Sequence, residues 1–230
     1  MFAPERNPSD CASIVVPCLI ELCKDAESGT REAALNTIAQ CIPFLSKDNR
    51  KNSILPLLKK CAEQAIVAQD ETLGVVARNL GQWLFSLKDV LTAKESAWFL
   101  EIYVRIASLG RAFLTSDGAS SNIQIATRRM SAYNFPCIVL AYGEDCFKDR
   151  LLPILEGFCS DPDDDVRSAT AAGFHEIVKL LPNEPSLIAP FTELIRGSSA
   201  EVVGHLMNGL DRILPALYSC VSGQNNSVRK

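Results

Sequence analysis

A proline recurs at a fixed place in this chain and sets the limits on its fold. Pro17, Pro56, Pro153 and Pro190 each stand early in an apolar segment, in the strings Val-Pro-Cys-Leu, Leu-Pro-Leu-Leu, Leu-Pro-Ile-Leu and Ala-Pro-Phe-Thr. The step from Pro17 to Pro56 is 39 residues and that from Pro153 to Pro190 is 37. Arg31 follows Pro17 by 14 positions and Arg167 follows Pro153 by 14. Asp25 and Asp161 each precede their arginine by six. Apolar residues between these markers recur at three and four, the period of a helix, and two-residue alternation is scarce. Each repeat therefore holds two helices.

The first pair is expected over Ile14–Cys23 and Thr30–Leu45, joined by a turn around Asp25–Gly29. The second is expected over Ser53–Ala68 and Glu71–Leu87. Near the other end, Arg150–Cys159 precedes the turn Ser160–Asp165 and the helix Val166–Leu181. Ser186–Arg196 and Ala200–Ser219 form the last pair around Gly197–Ser199. The middle is irregular. A long helix Ala93–Leu114, a polar break Thr115–Asn122 and a helix Ile123–Tyr142 kinked at Pro136 make a third repeat at about 93–142. Proline in a first helical turn lacks only an N–H that would be unpaired there, whereas deeper it bends the helix. Small residues on the second helices, such as Ala33, Ala34, Gly74, Ala77, Gly81, Ala169, Ala172 and Gly173, allow close helix approach.

A period near 40 built of two helices is the mark of a HEAT or armadillo array. One helix pair cannot cover both its faces, so stacking supplies a continuous core. The fold class expected is all-α, an α-α superhelix or HEAT/armadillo-like solenoid of about five helix pairs. It would form a single domain over residues 1–221, with a polar tail over 222–230.

Composition narrows the function. With 23 basic and 27 acidic residues the net charge is −4, which leaves no electrostatic footprint for nucleic acid. No apolar run reaches 18 residues, so no membrane span is expected, and the first ten residues lack the pattern of a signal peptide. Nine cysteines include no C-x-x-C pair and stand mostly among apolar residues. They read as reduced, mostly buried thiols, which implies a reducing compartment. With only His175 and His205 available, a zinc site has little support. No G-x-S-x-G, G-x-G-x-x-G, P-loop, H-E-x-x-H or kinase motif occurs, so the chain is expected to be non-catalytic and free of cofactors. His175 reads as a flanking or surface histidine and His205 as a packed or hydrogen-bonded one.

Candidate binding residues lie at the turns between paired helices, which form one edge of such an array. They are Asp25 and Glu27, Asp70 and Glu71, and Asp161, Asp163, Asp164 and Asp165. The last run lacks the spacing and closing glutamate of a calcium loop and is read first as a helix-capping turn. Trp98, beside Phe99, is a candidate aromatic anchor, although core packing is the default for a tryptophan. Arg128 and Arg129 could meet an acidic partner, and otherwise form a solvated face.

Asp161-Pro162 followed by Val166-Arg167 resembles the HEAT consensus. In the first repeat Asp25 and Arg31 match, but Ala26 and Thr30 replace the proline and valine. The second and last repeats depart further. Within that family, Tyr133-Asn134-Phe135-Pro136 and Phe174-His175-Glu176-Ile177 resemble the HEAT-type regulatory and scaffold subunits of protein phosphatases 2A and 4. That resemblance implies a cytoplasmic, non-catalytic subunit that binds a serine/threonine phosphatase catalytic subunit, with neither nucleic acid nor membrane as partner. The family's chains are much longer, so the resemblance also implies a fragment or truncated relative. In the scaffold member the intra-repeat turns contact the partners. Their counterparts here are Asp25–Thr30, Gln69–Thr72, Asp161–Asp165 and Gly197–Ala200. A HEAT adaptor of another class, such as a nuclear transport receptor or chromosome-complex subunit, is the alternative.

Overall fold

Several helices begin at a capping side chain or a proline, and the computed structural model shows eleven helices longer than one turn among the residues it describes, 14–110, 121–196 and 199–227. They are α1 (Val16–Leu22), α2 (Ser28–Cys41), α3 (Leu55–Ala68), α4 (Thr72–Leu87), α5 (Ala93–Ala107), α6 (Asn122–Cys146), α7 (Leu152–Cys159), α8 (Asp164–Leu180), α9 (Ile188–Arg196), α10 (Ala200–Met207) and α11 (Leu210–Ser227). No strand occurs among the described residues, and the fold is all-α, as expected. The chain divides into two compact units, Met1–Tyr103 and Val104–Lys230.

In the first unit α1 packs on α2 and α3 on α4, while α2 and α4 stack as successive second helices. The core between them takes Leu35, Ile38, Leu58, Leu73, Leu80 and Trp83, each buried. Asn79 links the two second helices, donating to Asn36 Oδ1 at 2.8 Å. In the second unit α6, α8 and α10 stack through their second-helix faces, and α7 packs on α9. Phe135 and Phe158 meet edge to face at 6.0 Å, and Phe174 reaches Phe191 at 5.8 Å. Within each unit the pairs thus cover one another, as stacked repeats require.

The prolines fall in the first helical turn. Pro17, Pro56 and Pro153 occupy the first two positions of α1, α3 and α7. Wide π-type turns, Arg50–Ile54 and Phe147–Leu151, lead directly into α3 and α7. Such a turn lets the chain arrive helically although proline cannot donate to the preceding turn.

Several expected boundaries are corrected. The helix from Ala93 closes at Ala107, not Leu114, and Gly110 follows with φ 74°. Residues 111–120, which hold most of the expected polar break, lie outside the described residues. Ser121 then starts α6 with a capping box, its hydroxyl accepting from Gln124 N and Gln124 Oε1 accepting from Ser121 N. Pro136 stands inside α6, and the helix keeps to its expected range as far as Tyr142. The non-helical residue is Gly143, at φ 66° and ψ −168°, a region that favours glycine. Pro136 instead packs against Gly173, where a Cβ would stand 3.2 Å from its ring. The expected helix Ala200–Ser219 is two helices, separated at Asn208–Gly209. The second continues to Ser227, so no break in structure falls at 222.

Free thiols follow burial only in part. Cys23, Cys61 and Cys159 are buried and Cys41 and Cys146 half-buried, whereas Cys18 and Cys137 are exposed. Cys11 and the side chain of Cys220 lie outside the described residues.

Glycine positions give a paired test. A Cβ at Gly209, in the turn between α10 and α11, would lie 2.7 Å from the Cβ of His175 on α8, so Gly209→Ala must shift the turn or α8. A Cβ at Gly74, inside α4, meets nothing within 4 Å. Gly209→Ala is expected to cost about 1–3 kcal/mol in urea unfolding. Gly74→Ala is expected to stabilise by up to about 1 kcal/mol, through helix propensity.

Candidate protein-binding site

Three aspartates do the same local work at the turns. The carboxylates of Asp25, Asp70 and Asp161 each accept from the backbone N–H two residues on, at Glu27, Thr72 and Asp163, over 2.9, 3.0 and 3.1 Å. This closes the turn and directs the next helix outward. Asp163 then caps α8, accepting from Asp165 N at 3.0 Å and Val166 N at 3.3 Å. Asp164 and Asp165 sit in the first turn of that helix, where negative charge is favoured by the helix dipole.

The arginines reach both backward and forward. Arg31 donates to the carbonyls of Asp25 and Ala26 at 2.9 and 2.7 Å, which fixes its own turn. It also pairs with Asp70, the turn aspartate of the next repeat, 39 residues on, and donates to Thr72 Oγ1 at 3.3 Å. Arg167 likewise donates back to the Asp161 carbonyl and pairs with Asp164. In the second unit Arg128 takes the forward role. Its Nε and Nη2 grip Asp161 Oδ2 and Oδ1 at 2.7 and 3.1 Å, and Nη1 donates to the Leu109 carbonyl at 3.0 Å. Both charged side chains of that pair are 0% exposed. Arg50 adds another span of 39 residues, gripping Asp89 at 2.7 and 3.0 Å and the Ser86 carbonyl at 2.8 Å.

These contacts sort the expected site residues. Arg128 and Asp161 are corrected as surface candidates: each is buried against the other, and their charges hold successive helix pairs together. Asp70 is half-buried and engaged by Arg31. Asp25, Glu27, Glu71, Asp164 and Asp165 are exposed at the turns, and Asp163 is half-buried in its capping role. Arg129 pairs with Asp165 at 2.8 Å on an exposed edge. Trp98 is half-buried. Its indole donates to Glu63 Oε1 at 3.3 Å, Lys59 Nζ stands 5.0 Å from the ring centroid, and Phe99 meets its edge at 5.1 Å. Packing and cation–π contact occupy it more than solvent does.

Two features escaped the sequence. One is the forward Arg-to-Asp contact, whose signal is an aspartate about one repeat beyond an arginine. The other is a row on α6, where Tyr133, Cys137 and Leu140 fall at helical spacing and are all exposed, Tyr133 by 70% and Leu140 by 60%. Tyr133 leaves more of its surface to solvent than Trp98 does. His175 is half-buried and contacts Glu176 at 3.2 Å. Among the described residues no group of three or more His, Cys, Asp or Glu could hold a metal, and no helix is long and apolar enough to cross a membrane.

A family model for the HEAT repeat matches residues 151–181, the stretch containing α7, the Asp161 turn and α8. The chain carries a HEAT repeat. It is also similar to serine/threonine-protein phosphatase 4 regulatory subunit 4, at 29% identity to the Mus musculus protein and 30% to the Homo sapiens protein, over 95% of this chain. The chain spans about a quarter of the length of these relatives, 26% in each case. The HEAT match falls where the turn chemistry is most complete: Asp161 closed by Asp163, gripped by Arg128 and backed by Arg167.

Burial predicts how these arginines differ. Arg128→Ala leaves the Asp161 carboxylate buried without its partner and is expected to cost roughly 3–5 kcal/mol in urea unfolding. Arg31→Ala opens a pair that is 21% and 26% exposed, so about 1 kcal/mol is expected. Hydrogen bonding from Arg50 holds the Asp89 carboxyl below its ordinary value of 3.8. That pair's contribution is therefore present above about pH 3.8 and lost as the pH falls through the lower folded value. Acid titration of wild type against Asp89→Asn should show a wild-type advantage at pH 6 that vanishes in strong acid.

Proposed function

We propose that this chain is a non-catalytic, protein-binding module of a serine/threonine protein phosphatase complex of the phosphatase 4 or 2A type, acting in the cytoplasm. The observation that carries this reading is the similarity to phosphatase 4 regulatory subunit 4 along 95% of the chain. The module would hold a phosphatase catalytic subunit, or its substrates, against an extended helical surface. HEAT architecture suits that task, because stacked helix pairs expose successive turns and helix faces to a large partner.

The exposed turn carboxylates Asp25, Glu27, Glu71, Asp164 and Asp165 would steer an electropositive partner surface. Arg129 and Asp165 would lie at the rim, and Tyr133 with Leu140 would serve as apolar anchors. Trp98 would contribute through its exposed edge. Rim charges mostly set association rate and salt dependence, whereas an aromatic anchor sets the dissociation rate.

Binding of the purified chain to a recombinant phosphatase 4 catalytic subunit, measured by calorimetry and size-exclusion chromatography, tests the proposal. A one-to-one complex is expected. Tyr133→Ala should weaken it about 30-fold, as for a hot spot worth about 2 kcal/mol. Neutralising Asp164 and Asp165 together should lower the association rate and flatten its salt dependence. No complex with phosphatase 4 or 2A catalytic subunits at micromolar concentration would overturn the reading.

A further inference from the structure

Two cysteines in the first unit stand together without any part in the contacts described above. Cys23 caps the C-terminus of α1 and Cys61 lies within α3, so they belong to the first helices of successive repeats, 38 residues apart (61 minus 23). Both are buried, at 4% and 6% exposure, and both are free thiols. Their thiols stand near enough to act on each other's titration. They line the same cavity, of about 480 Å³, whose other walls include Lys24, Lys60, Gln64 and Arg31. Lys24, Lys60 and Gln64 are exposed, so the cavity is reached from solvent past polar side chains. A small polar oxidant can enter where a protein thiol cannot.

The pair divides the labour of a dithiol. The contact with Cys61, with burial added, pushes the Cys23 thiol up and keeps it protonated. The contact with Cys23 pulls Cys61 down, burial opposes this, and the positive charges of Lys60 and Arg31 assist it. A thiolate is the form that reacts with peroxide, and a neighbouring thiol is what resolves the product.

We propose that Cys23 and Cys61 form a peroxide-sensitive dithiol that closes to a disulfide and ties α1 to α3. The Cys61 thiolate attacks one oxygen of hydrogen peroxide, the O–O bond breaks, and a sulfenic acid and hydroxide result. The Cys23 sulfur then attacks the Cys61 sulfur, the S–O bond breaks, and water leaves as the S–S bond forms. That water carries the Cys23 proton, and the proton that Cys61 released on ionising neutralises the hydroxide of the first step. In total two thiols and one hydrogen peroxide give one disulfide and two waters, with two electrons passing from sulfur to peroxide. A dithiol reductant reverses the change by exchange.

The test is graded oxidation of the whole chain with hydrogen peroxide at neutral pH, followed by intact-mass measurement and peptide mapping. The expected first product is lighter by about 2 Da, links the Cys23 and Cys61 peptides, and returns to the starting mass with dithiothreitol. It should form before Cys18 or Cys137 is modified, although both of those are exposed. Cys23→Ser should stop at a Cys61 sulfenic acid that dimedone traps, and Cys61→Ser should slow the first oxidation at least about tenfold. Modification of Cys18 or Cys137 while Cys23 and Cys61 stay free would overturn the proposal. So would a first product that lacks the Cys23–Cys61 link.

Discussion

Arg128 and Asp161 meet inside the second unit with neither side chain reaching solvent. The guanidinium comes from the helix of one repeat and the carboxylate from the turn that opens the second helix of the next. Two charges removed from water tolerate few arrangements, because each needs the other and its hydrogen bonds in place. Here the bidentate grip, the Leu109 carbonyl and the Asp163 N–H together occupy both groups. Hydrophobic burial holds the stacked pairs together without direction. The ion pair adds direction, since sliding α6 along α8 would strand both charges. Arg31 with Asp70 repeats the design in the first unit, in a wetter setting.

The same turns divide structural from available charge. An acidic turn presents several carboxylates, and one of them is withdrawn into the fold. At Asp161–Asp165 the first aspartate closes the turn and binds arginine, the third residue caps α8, and the last two remain outside. At Asp25 and at Asp70 with Glu71, the balance shifts with the partner: Asp25 is exposed, whereas Asp70 is held by Arg31. A surface read only from charge would count all of these alike. The structure leaves fewer of them exposed: Asp25 and Glu71 in the first unit, Asp164 and Asp165 in the second.

The two-helix period, the first-helix prolines and the Asp161-Pro162 turn were legible in the sequence because they are local. Pro56 and Pro153 stand at helix starts, as a missing N–H allows. Contacts across repeats were not legible. Asp25 to Arg31 was visible as a spacing of six, yet the arginine's second bond, to Asp70, depends on stacking that no local pattern reports. Helix ends were misjudged for a similar reason. Gly143 carries the kink because it alone reaches positive φ there, while Pro136 fits inside the helix by packing on Gly173. Tyr133 lay within a string that carried the family resemblance, but its exposure follows only from how α6 is rotated against α8.

A double-mutant cycle on Arg128 and Asp161, read by urea unfolding, tests most directly whether an arginine-to-aspartate contact registers successive repeats. Arg128→Met and Asp161→Leu should each be strongly destabilising alone. Combined, they should fall short of the sum of the single effects by more than about 2 kcal/mol, since the second change removes a charge the first left stranded. Single effects that add within about 0.5 kcal/mol would mean that the two side chains act independently, and would contradict the account.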